Sequence, residues 1–230
     1  MATTIPILLT ATVNPQGMKG ANFDPEERLN MYVEALEFYV KKGLKVVFAE
    51  NSGSVVLVSA KVIAANVEYV DVSGPEYDQS RGKGYNETIL IHKAVECSSM
   101  IHQAGCFFKI TGRLKLLNIE SLMSECVKGN QVFRADCKDH RVYEWLKMPI
   151  NGHAGECRYW FASTEFFESM MWPRVNDLND YEPNICLAED LMLDVCRQSR
   201  GIEGCSDRFR TQARISGKGG HNLGRGWSFF

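Results

Sequence analysis

The first fifty residues constrain the fold most, because they predict a strand-helix-strand unit. Residues 5–13 read IPILLTATV, a continuous apolar and β-branched run that is typical of a strand buried on both faces. Asp24 and Pro25 then predict the N-cap and first position of a helix that ends near Lys42. A second strand, KVVFA, follows at 45–49. Two strands joined through one helix predict an α/β fold with a mostly parallel sheet.

The rest of the chain continues this alternation of strands and helices. Further strands are predicted at 67–72, 107–117, 131–135 and 158–162, and helices at 54–66, 86–102, 119–127, from 163 or 164 onwards, and at 182–198. Neither a linker nor an internal repeat interrupts the pattern. We therefore expect one Rossmann-like domain with a central sheet flanked by helices.

Composition narrows the class of protein. A formal net charge of -2 gives no reason to expect binding to nucleic acid. No apolar run approaches the roughly 20 residues that a spanning helix needs, so no transmembrane segment is expected. The eight cysteines include no Cys-x-x-Cys pair, which favours reduced structural thiols over a zinc site. Because the N-terminus also lacks the basic start of a secretory signal, we expect a cytoplasmic protein.

The segment FFKITGRLKLLN, at 107–118, places a glycine inside a strand pattern. Such a glycine marks a close approach of backbone or ligand. Here Gly112 lies between Lys109 and Arg113, two cations that we expect to face an anion in one crevice. The alternative is an ordinary strand with a bulge and two solvated charges.

Polar residues follow the predicted strands, where ligands bind in open α/β sheets. Thr12 and Asn14 follow the first strand, and Asn51 follows the second. After the third, the segment RGKGYNE at 81–87 combines glycines, Lys83 and a helix start, which predicts a phosphate site. The alternative for this segment is a flexible loop. Neither a Walker loop nor a Rossmann GxGxxG is present.

Acidic residues are candidates for metal binding and for proton transfer. Asp136 and Asp139 follow a predicted strand, and they could ligate a hard divalent cation or, for Asp136, hold a sugar hydroxyl or cap a turn. His221 is a further candidate ligand, or a solvated side chain. The predicted helix at 182–198 carries Glu182, Glu189 and Asp190, and a carboxylate there could act as a general base or simply cap the helix.

Several short motifs together resemble a family of small bacterial or viral glycosyltransferases of surface-glycan synthesis, such as capsule and O-antigen synthesis. The motifs are TATVNP, VFAENSG, KGYNE, KITGRLKLLN, RADC and RISGKGG. The resemblance implies a GT-A-like fold. Residues 1–105 would form a nucleotide-binding half, 106–216 a sugar and acceptor half, and 217–230 a glycine-rich tail.

The resemblance also implies a nucleotide-sugar donor, with a UDP-sugar favoured, and a role for each candidate residue. Thr12 and Asn14 would flank the nucleoside, with Asn51 near the base or ribose. Lys83 and Arg113 would meet the diphosphate or sugar, and Lys109 is a further candidate for binding the donor. Asp136 would be the metal- or sugar-binding acid, with Asp139 and His221 as possible further ligands of Mn²⁺ or Mg²⁺.

The segment AED at 188–190 is similar to the xED signature of inverting GT-A enzymes, which makes Asp190 the predicted base and Glu182 the second candidate. No Asp-x-Asp is present, so Lys or Arg could neutralise the departing diphosphate instead of a metal. The implied reaction is transfer of a sugar to a hydroxyl of a glycan or a lipid-linked acceptor.

Two other functions remain open from the sequence. A sugar nucleotidyltransferase shares the architecture, and its glycine-rich basic loop would be NPQGMKG at 14–20. The other function is that of a non-catalytic sugar- or nucleotide-binding module within a larger multidomain glycan-assembly enzyme. Four tryptophans and eight tyrosines could stack on sugars in such a module.

Overall fold

The computed structural model describes residues 5–15, 24–74, 76–147 and 152–217. Within these ranges the strands are β1 Ile7–Ala11, β2 Val46–Glu50, β3 Val67–Asp71, β4 Cys106–Thr111, β5 Lys115–Leu116, β6 Phe133–Arg134, β7 Cys137–Asp139, β8 His153–Gly155, β9 Tyr159–Ser163, β10 Cys205–Ser206 and β11 Ile215–Ser216. The helices are α1 Pro25–Lys41, α2 Val55–Ser59, α3 Gly82–Cys97, α4 Ser99–Ala104, α5 Ile119–Lys128, α6 Val142–Trp145, α7 Thr164–Phe166 and α8 Ala188–Ser199. A 3₁₀ turn, Gln79–Arg81, precedes α3, and α7 continues as a π-helical turn, Phe167–Met171, and a 3₁₀ turn, Trp172–Asp177.

The central sheet, as far as the described residues show it, has seven strands in the order β10-β6-β9-β4-β1-β2-β3. β1 pairs in parallel with β2 and β4, and β2 pairs in parallel with β3. β9 is the antiparallel member, inserted between β4 and β6. The predicted α/β fold with a mostly parallel central sheet and flanking helices is therefore confirmed.

Helices cover both faces of this sheet, which explains why β1 is entirely apolar or β-branched. Successive side chains of a strand point to opposite faces. Leu8 belongs to the core cluster that contains Leu90 of α3, whereas Leu9 belongs to the cluster that contains Leu36 of α1. Both leucines are fully buried. The carboxyl ends of β1, β2 and β4 therefore open between α1 and α3.

The helix α1 begins as the sequence predicts. The Asp24 side chain accepts a hydrogen bond of 2.8 Å from the N–H of Glu27, and Pro25 occupies the first turn. The predicted helix at 86–102 instead begins at Gly82 and breaks at Ser98. The Ser98 hydroxyl caps the separate helix α4 through the N–H of Ile101, because serine competes well for such N-terminal donors.

Three other predicted elements differ in extent. The strand predicted at 107–117 is divided into β4 and β5, and β5 pairs with β11 outside the central sheet. The helix predicted at 54–66 is limited to the five residues of α2, in keeping with the poor helix propensity of its valines. The helix predicted from residue 182 begins at Ala188, because Cys186 exchanges main-chain hydrogen bonds with Asn179 in an isolated antiparallel bridge.

Two strands outside the central sheet form an antiparallel ribbon, β7–β8, which packs against α8. Asp139 pairs with His153 in its register. Among the described residues, none of the helices has the length and apolar character needed to span a membrane.

Candidate functional site

A buried carboxylate joins the loops that follow β1 and β2. Glu50 is fully buried at the end of β2. Its oxygens accept hydrogen bonds from the main-chain N–H groups of Val13 at 3.0 Å and Ser54 at 2.7 Å, and also from Ser52. A buried carboxylate that accepts hydrogen bonds from several N–H groups fixes the loop that carries them. The free-energy cost of burying its charge is offset only while those hydrogen bonds are kept.

The three residues predicted to surround a nucleoside lie together beside Glu50. The Thr12 hydroxyl donates to the Asn51 side-chain oxygen at 2.7 Å. The N–H of Asn14 donates to the Ser52 hydroxyl at 2.9 Å. The ends of β1 and β2 therefore form one polar surface, although its contact with a nucleoside stays a prediction.

Three cations converge next to this surface, and we call Arg28, Lys83 and Arg113 the cation cluster. Arg28 of α1 donates to the Thr12 carbonyl through Nε at 2.8 Å and through a terminal nitrogen at 2.5 Å. The guanidinium groups of Arg28 and Arg113 lie 5.8 Å and 5.9 Å from the centre of the Tyr32 ring. Arg28 and Arg113 are 7% and 8% exposed.

The pKa values of this cluster reflect burial and like-charge repulsion. Burial lowers the pKa of Lys83, Arg113 and Arg28 lower it further, and Asp180 opposes them. Burial also lowers the pKa of Arg28, with Arg113 adding to the effect. A bound anion stabilises a cation whose pKa is lowered by burial and by neighbouring cations, because the anion offsets both effects.

Gly112 positions Arg113. Its N–H donates to the Thr10 carbonyl at 2.9 Å. A Cβ atom built on Gly112 would lie 2.5 Å from that same carbonyl oxygen and 3.2 Å from the Tyr32 ring. The close approach predicted from a glycine inside the strand pattern is therefore confirmed, and it is an approach of β1 backbone. The chain turns here between β4 and β5, which brings Arg113 over Tyr32.

Lys109 has a different environment from the cation cluster. It is 1% exposed, and its ammonium lies 2.9 Å from Glu87 of α3 and donates to the Cys157 carbonyl at 2.7 Å. Glu87 also accepts from the Thr10 hydroxyl at 2.6 Å. Lys109 thus fastens α3 to the strand ends, and its predicted contact with a donor stays a prediction.

The N-terminus of α3 holds a protein carboxylate. Asp180 accepts a hydrogen bond of 2.6 Å from the N–H of Lys83. Gly82 has φ +86°, and a Cβ on it would overlap the Asp180 side chain. The phosphate site predicted at this helix start therefore needs correction. The main-chain N–H of Lys83 already donates to Asp180, so Lys83 contributes only its side chain to the cation cluster.

The two aspartates predicted as metal ligands are bound by protein groups. Asp136, 7% exposed, accepts from the Tyr159 hydroxyl and, at 2.8 Å, from the N–H of Phe209, and burial raises its pKa. Asp139 is ion-paired in the β7–β8 ribbon with Arg197 at 2.8 Å and Arg200 at 2.7 Å.

The described residues contain no group of three His, Cys, Asp or Glu side chains that could hold a metal ion. Every aspartate and glutamate of the chain lies within the described ranges, whereas His221 lies outside them. The donor set therefore does not fit a divalent-cation site built from several carboxylates. The set of Asp136, Asp139 and His221 stays a prediction.

The residues predicted as the base lie at or before the start of α8. Glu182 is exposed in the segment that precedes the helix. Asp190 accepts a hydrogen bond of 3.0 Å from the N–H of Leu187, which makes it a capping residue. Glu189 lies beside Glu156, Glu87 and Asp180, and its pKa is raised, first by burial and then by these like charges. The catalytic roles of Asp190 and Glu182 stay predictions.

Sequence reasoning missed Arg28, Glu87 and Asp180. Arg28 could have been found from the sequence, because it lies on the apolar face of α1 with Tyr32, Ala35 and Tyr39, all of which are buried. A charged residue on a buried helix face needs a partner or a ligand. Glu87 and Asp180 meet partners 77 and 97 residues away, which no local pattern indicates. The loop at 14–20 that a nucleotidyltransferase would use lies largely outside the described residues.

Neither a scan of protein-family models nor a search of curated proteins found a match. Among solved structures, the chain is similar to the apo structure of the bifunctional glycosyltransferase WbbM (12% identity, TM-score 0.48, 85% of this chain and 38% of that one). It is also similar to a glycosyltransferase involved in the glycosylation of the major capsid of PBCV-1 (12% identity, TM-score 0.42, 76% of this chain and 68% of that one). A third similar structure is that of 4-diphosphocytidyl-2C-methyl-D-erythritol synthase from Anaerococcus prevotii (8% identity, TM-score 0.48, 83% of this chain and 83% of that one). At these values the similarities identify neither a reaction nor a ligand for this chain, which spans well under half of the bifunctional enzyme.

Proposed function

We propose that this protein is a glycosyltransferase that moves a sugar from a nucleoside diphosphate sugar, preferentially a UDP-sugar, to a hydroxyl of a glycan or a lipid-linked acceptor. The observation that carries the proposal is the cation cluster at the carboxyl ends of β1 and β4, adjacent to the polar surface of Thr12 and Asn51. Open α/β sheets bind ligands at such strand ends.

The cation cluster has the chemistry that a departing nucleoside diphosphate requires. Negative charge grows on the leaving diphosphate as the sugar bond breaks, and fixed cations stabilise that charge without reorganising. Arginine binds a phosphate through directed hydrogen bonds, whereas lysine acts as a point charge. Their burial strengthens each interaction with an anion because water screens it less.

In this proposal Thr12, Asn14 and Asn51 bind the nucleoside. Hydroxyl and amide groups can both donate and accept hydrogen bonds, so they suit the edge of a base or the hydroxyls of a ribose. Because Glu50 fixes both loops, this surface is held in place before a ligand arrives. The cation cluster draws on both sides of the predicted division at 105 and 106, since Arg113 follows it in the chain.

The proposal assigns the stabilisation of the leaving group to the cation cluster. Mn²⁺ or Mg²⁺ would supply Lewis-acid stabilisation of a diphosphate. Among the described residues, no three His, Cys, Asp or Glu side chains lie close enough together to hold one ion. We therefore assign no step of the reaction to a metal. The base that takes the proton from the acceptor hydroxyl is proposed to come from the acidic segment at 182–190.

The test is a thermal-shift screen against UDP-, GDP-, CMP- and dTDP-sugars, in EDTA and in Mn²⁺, followed by calorimetric titration of the best binder. We expect one nucleotide class to raise the melting temperature in EDTA as well as in Mn²⁺. In Arg113→Gln, affinity should fall about tenfold to a hundredfold, because hydrogen bonds to charged groups contribute about 1.5–3 kcal/mol.

Lys115→Gln is the matched control, since Lys115 is a nearby cation that pairs with Glu34 at 3.4 Å outside the cation cluster. Its affinity should equal that of the unmodified protein. The absence of stabilisation by every nucleotide would overturn the proposal. Binding without turnover would favour the binding module, and release of pyrophosphate from a nucleoside triphosphate would favour the nucleotidyltransferase.

A further inference from the structure

We propose that Glu189, and not Asp190 or Glu182, is the carboxylate that takes the proton from the acceptor hydroxyl. This inference rests on the proposed transferase function and names the base of that same site. It follows from the face of α8 that each carboxylate occupies, from the contacts of Asp190, and from the charges around Glu189.

The face of α8 that looks into the molecule is defined by a small recess. Ala188, Leu191 and Met192 line this recess together with Glu87 and Lys109, and it encloses about 30 Å³. Successive residues of a helix are rotated by about 100°. Residue 189 therefore borders the recess face, whereas residue 190 points to the opposite side of α8.

The surroundings of Asp190 agree with this geometry. Its carboxylate caps α8 by accepting from the N–H of Leu187. It lies close to Cys186, and that thiol is in turn surrounded by Asp177, Arg174 and Asp194. Asp194, one turn further along the same side of α8, pairs with Arg174 at 3.3 Å. Asp190 is therefore directed away from the contact between α8 and α3.

Glu189 instead lies near the cation cluster through the contact between α8 and α3. A Cβ on Gly84 of α3 would lie 3.2 Å from the Ala188 Cβ and 3.3 Å from its main-chain nitrogen. Gly84 directly follows Lys83, a member of the cation cluster. The start of α8 and the start of α3 are thus in contact, which brings Glu189 to the side of the proposed diphosphate site.

Each charged group that faces Glu189 already has a partner. Glu87 is paired with Lys109 at 2.9 Å, Glu156 with Arg158 at 2.5 Å, and Asp180 with the N–H of Lys83 at 2.6 Å. Among the described residues, Glu189 has no ion pair and no side-chain hydrogen bond with another residue. It is therefore the carboxylate of this group whose oxygens remain available to an acceptor.

Glu189 combines solvent access with a perturbed protonation equilibrium. Its side chain is exposed, yet the protein atoms around it desolvate it in part and so raise its pKa, and Glu156, Glu87 and Asp180 raise that pKa further. The neighbouring Cys157 thiol is half-buried, and its pKa is also raised, by desolvation first and then by Glu189. A carboxylate with a raised pKa is a stronger base that an acceptor can still reach.

In the proposed step, the acceptor oxygen replaces the nucleoside diphosphate at the anomeric carbon of the sugar. A Glu189 oxygen accepts the hydroxyl proton while the acceptor oxygen forms a bond to the anomeric carbon of the sugar. The bond between that carbon and the phosphate oxygen breaks, and its electron pair leaves with the nucleoside diphosphate. The cation cluster stabilises the new charge, and Glu189 releases its proton to solvent afterwards.

The experiment compares Glu189→Gln, Asp190→Asn and Glu182→Gln, using the nucleotide sugar selected by the thermal-shift screen and water as the acceptor. Release of nucleoside diphosphate is followed after calorimetry has measured donor affinity. We expect Glu189→Gln to bind the donor as tightly as the unmodified protein and to lose turnover by about a hundredfold or more. Glu182→Gln should keep its turnover, and Asp190→Asn should lose stability through its cap but less than tenfold in turnover.

A pH profile distinguishes a base from a structural residue. The turnover of the unmodified protein should rise with pH through the pKa of Glu189 and then level off, and this rising limb should be absent in Glu189→Gln. A carbon-13 titration of the glutamate carboxyls should place the Glu189 pKa above the ordinary value of about 4.3.

The possible failures can be told apart. If the unmodified protein binds no nucleotide sugar or releases no nucleotide, the proposed function fails and this inference fails with it. If it is active and Glu189→Gln keeps its turnover, the assignment of Glu189 is overturned and the transferase function stands, whichever of the other two variants loses turnover.

Discussion

Two groups of cations in this protein differ in how their surroundings affect them. In the cation cluster, burial and neighbouring cations lower the pKa of Lys83 and Arg28. In the β7–β8 ribbon and the adjoining helix α8, the hydrogen bonds that Arg197 and Arg200 donate to Asp139 raise the pKa of both arginines. The first arrangement disfavours its charges and the second favours them.

The difference indicates where a bound anion would raise the stability of the protein most. The ribbon carries its acid and bases in one network, so its electrostatic stabilisation is complete within the chain. The cation cluster brings three positive groups together at strand ends, an arrangement that lowers the stability of the ligand-free protein. An anion would reverse that effect, which is why the proposed diphosphate site lies there and not at the ribbon.

The largest expected effect concerns Lys109, a cation at the strand ends whose surroundings resemble those of the ribbon. Lys109→Met would leave Glu87 next to the core without its cation. We expect the free energy of unfolding to fall by about 3 kcal/mol, near the lower end of the range for breaking a buried ion pair, because the Glu87 side chain keeps 30% exposure. Urea denaturation measures this change.

The double variant Lys109→Met with Glu87→Gln is the control for that experiment. It removes both charges, so it should recover much of the lost stability. An unchanged unfolding free energy in Lys109→Met would mean that Lys109 does not serve the structural role assigned to it.

A smaller effect is expected at Gly112, which tests whether the geometry of the cation cluster is fixed by the backbone. Gly112→Ala would force its Cβ against the Thr10 carbonyl oxygen. We expect a loss of about 1–3 kcal/mol, the usual cost of overpacking, because neither β1 nor β4 can move freely in the sheet. Nucleotide affinity should fall as well, since Arg113 follows directly.

Gly105→Ala provides a comparison for Gly112→Ala. Gly105 has φ +65°, and a Cβ on it would meet no atom within 4 Å. Any loss of stability in Gly105→Ala therefore comes from the backbone conformation alone, and the nucleotide affinity of this variant should be unchanged. Equal affinities in both variants would remove the link between Gly112 and the cation cluster.

The sequence predicted the parts of this molecule that depend on local patterns. The strand-helix-strand opening follows from an apolar run, a capping aspartate and a proline, all within fifty residues, and α1 starts at the predicted position. Asn51 and Thr12 were identified because both follow strands, and the parallel pairing of β1 with β2 brings them together. Local order and strand direction were enough for these residues.

The rest depends on long-range packing that a local pattern does not encode. Glu182 and Glu189 are seven residues apart, a helical spacing, yet the helix begins only at Ala188 and so contains Glu189 without Glu182. Which of Glu189 and Asp190 is directed toward α3 depends on how α8 packs, and the resemblance to an xED signature does not contain that information. The occupation of the α3 N-terminus by Asp180 likewise depends on a contact across 97 residues.

The smallest expected effect concerns the ribbon, where Asp139→Asn keeps the shape of the side chain and removes its charge. Hydrogen bonds from Arg197, His153 and Arg200 hold the pKa of Asp139 well below its usual range, with Arg197 contributing most. A carboxylate whose pKa is lowered in the folded state adds stability above its unfolded pKa, about 3.9, and that stability is lost as pH falls through the folded value.

We therefore expect Asp139→Asn to be less stable than the unmodified protein by about 1 kcal/mol at pH 7, since its arginine partners are partly exposed and screened. The difference should shrink as the pH falls below about 4, where the unmodified carboxylate begins to lose its advantage. Asp194→Asn is the matched control, because Asp194 is 46% exposed and lies 3.7 Å from Arg197. Denaturation at several pH values measures both variants, and nucleotide affinity should be the same in each. A change in that affinity on removing the Asp139 charge would mean that the ribbon and the cation cluster are not separate in function.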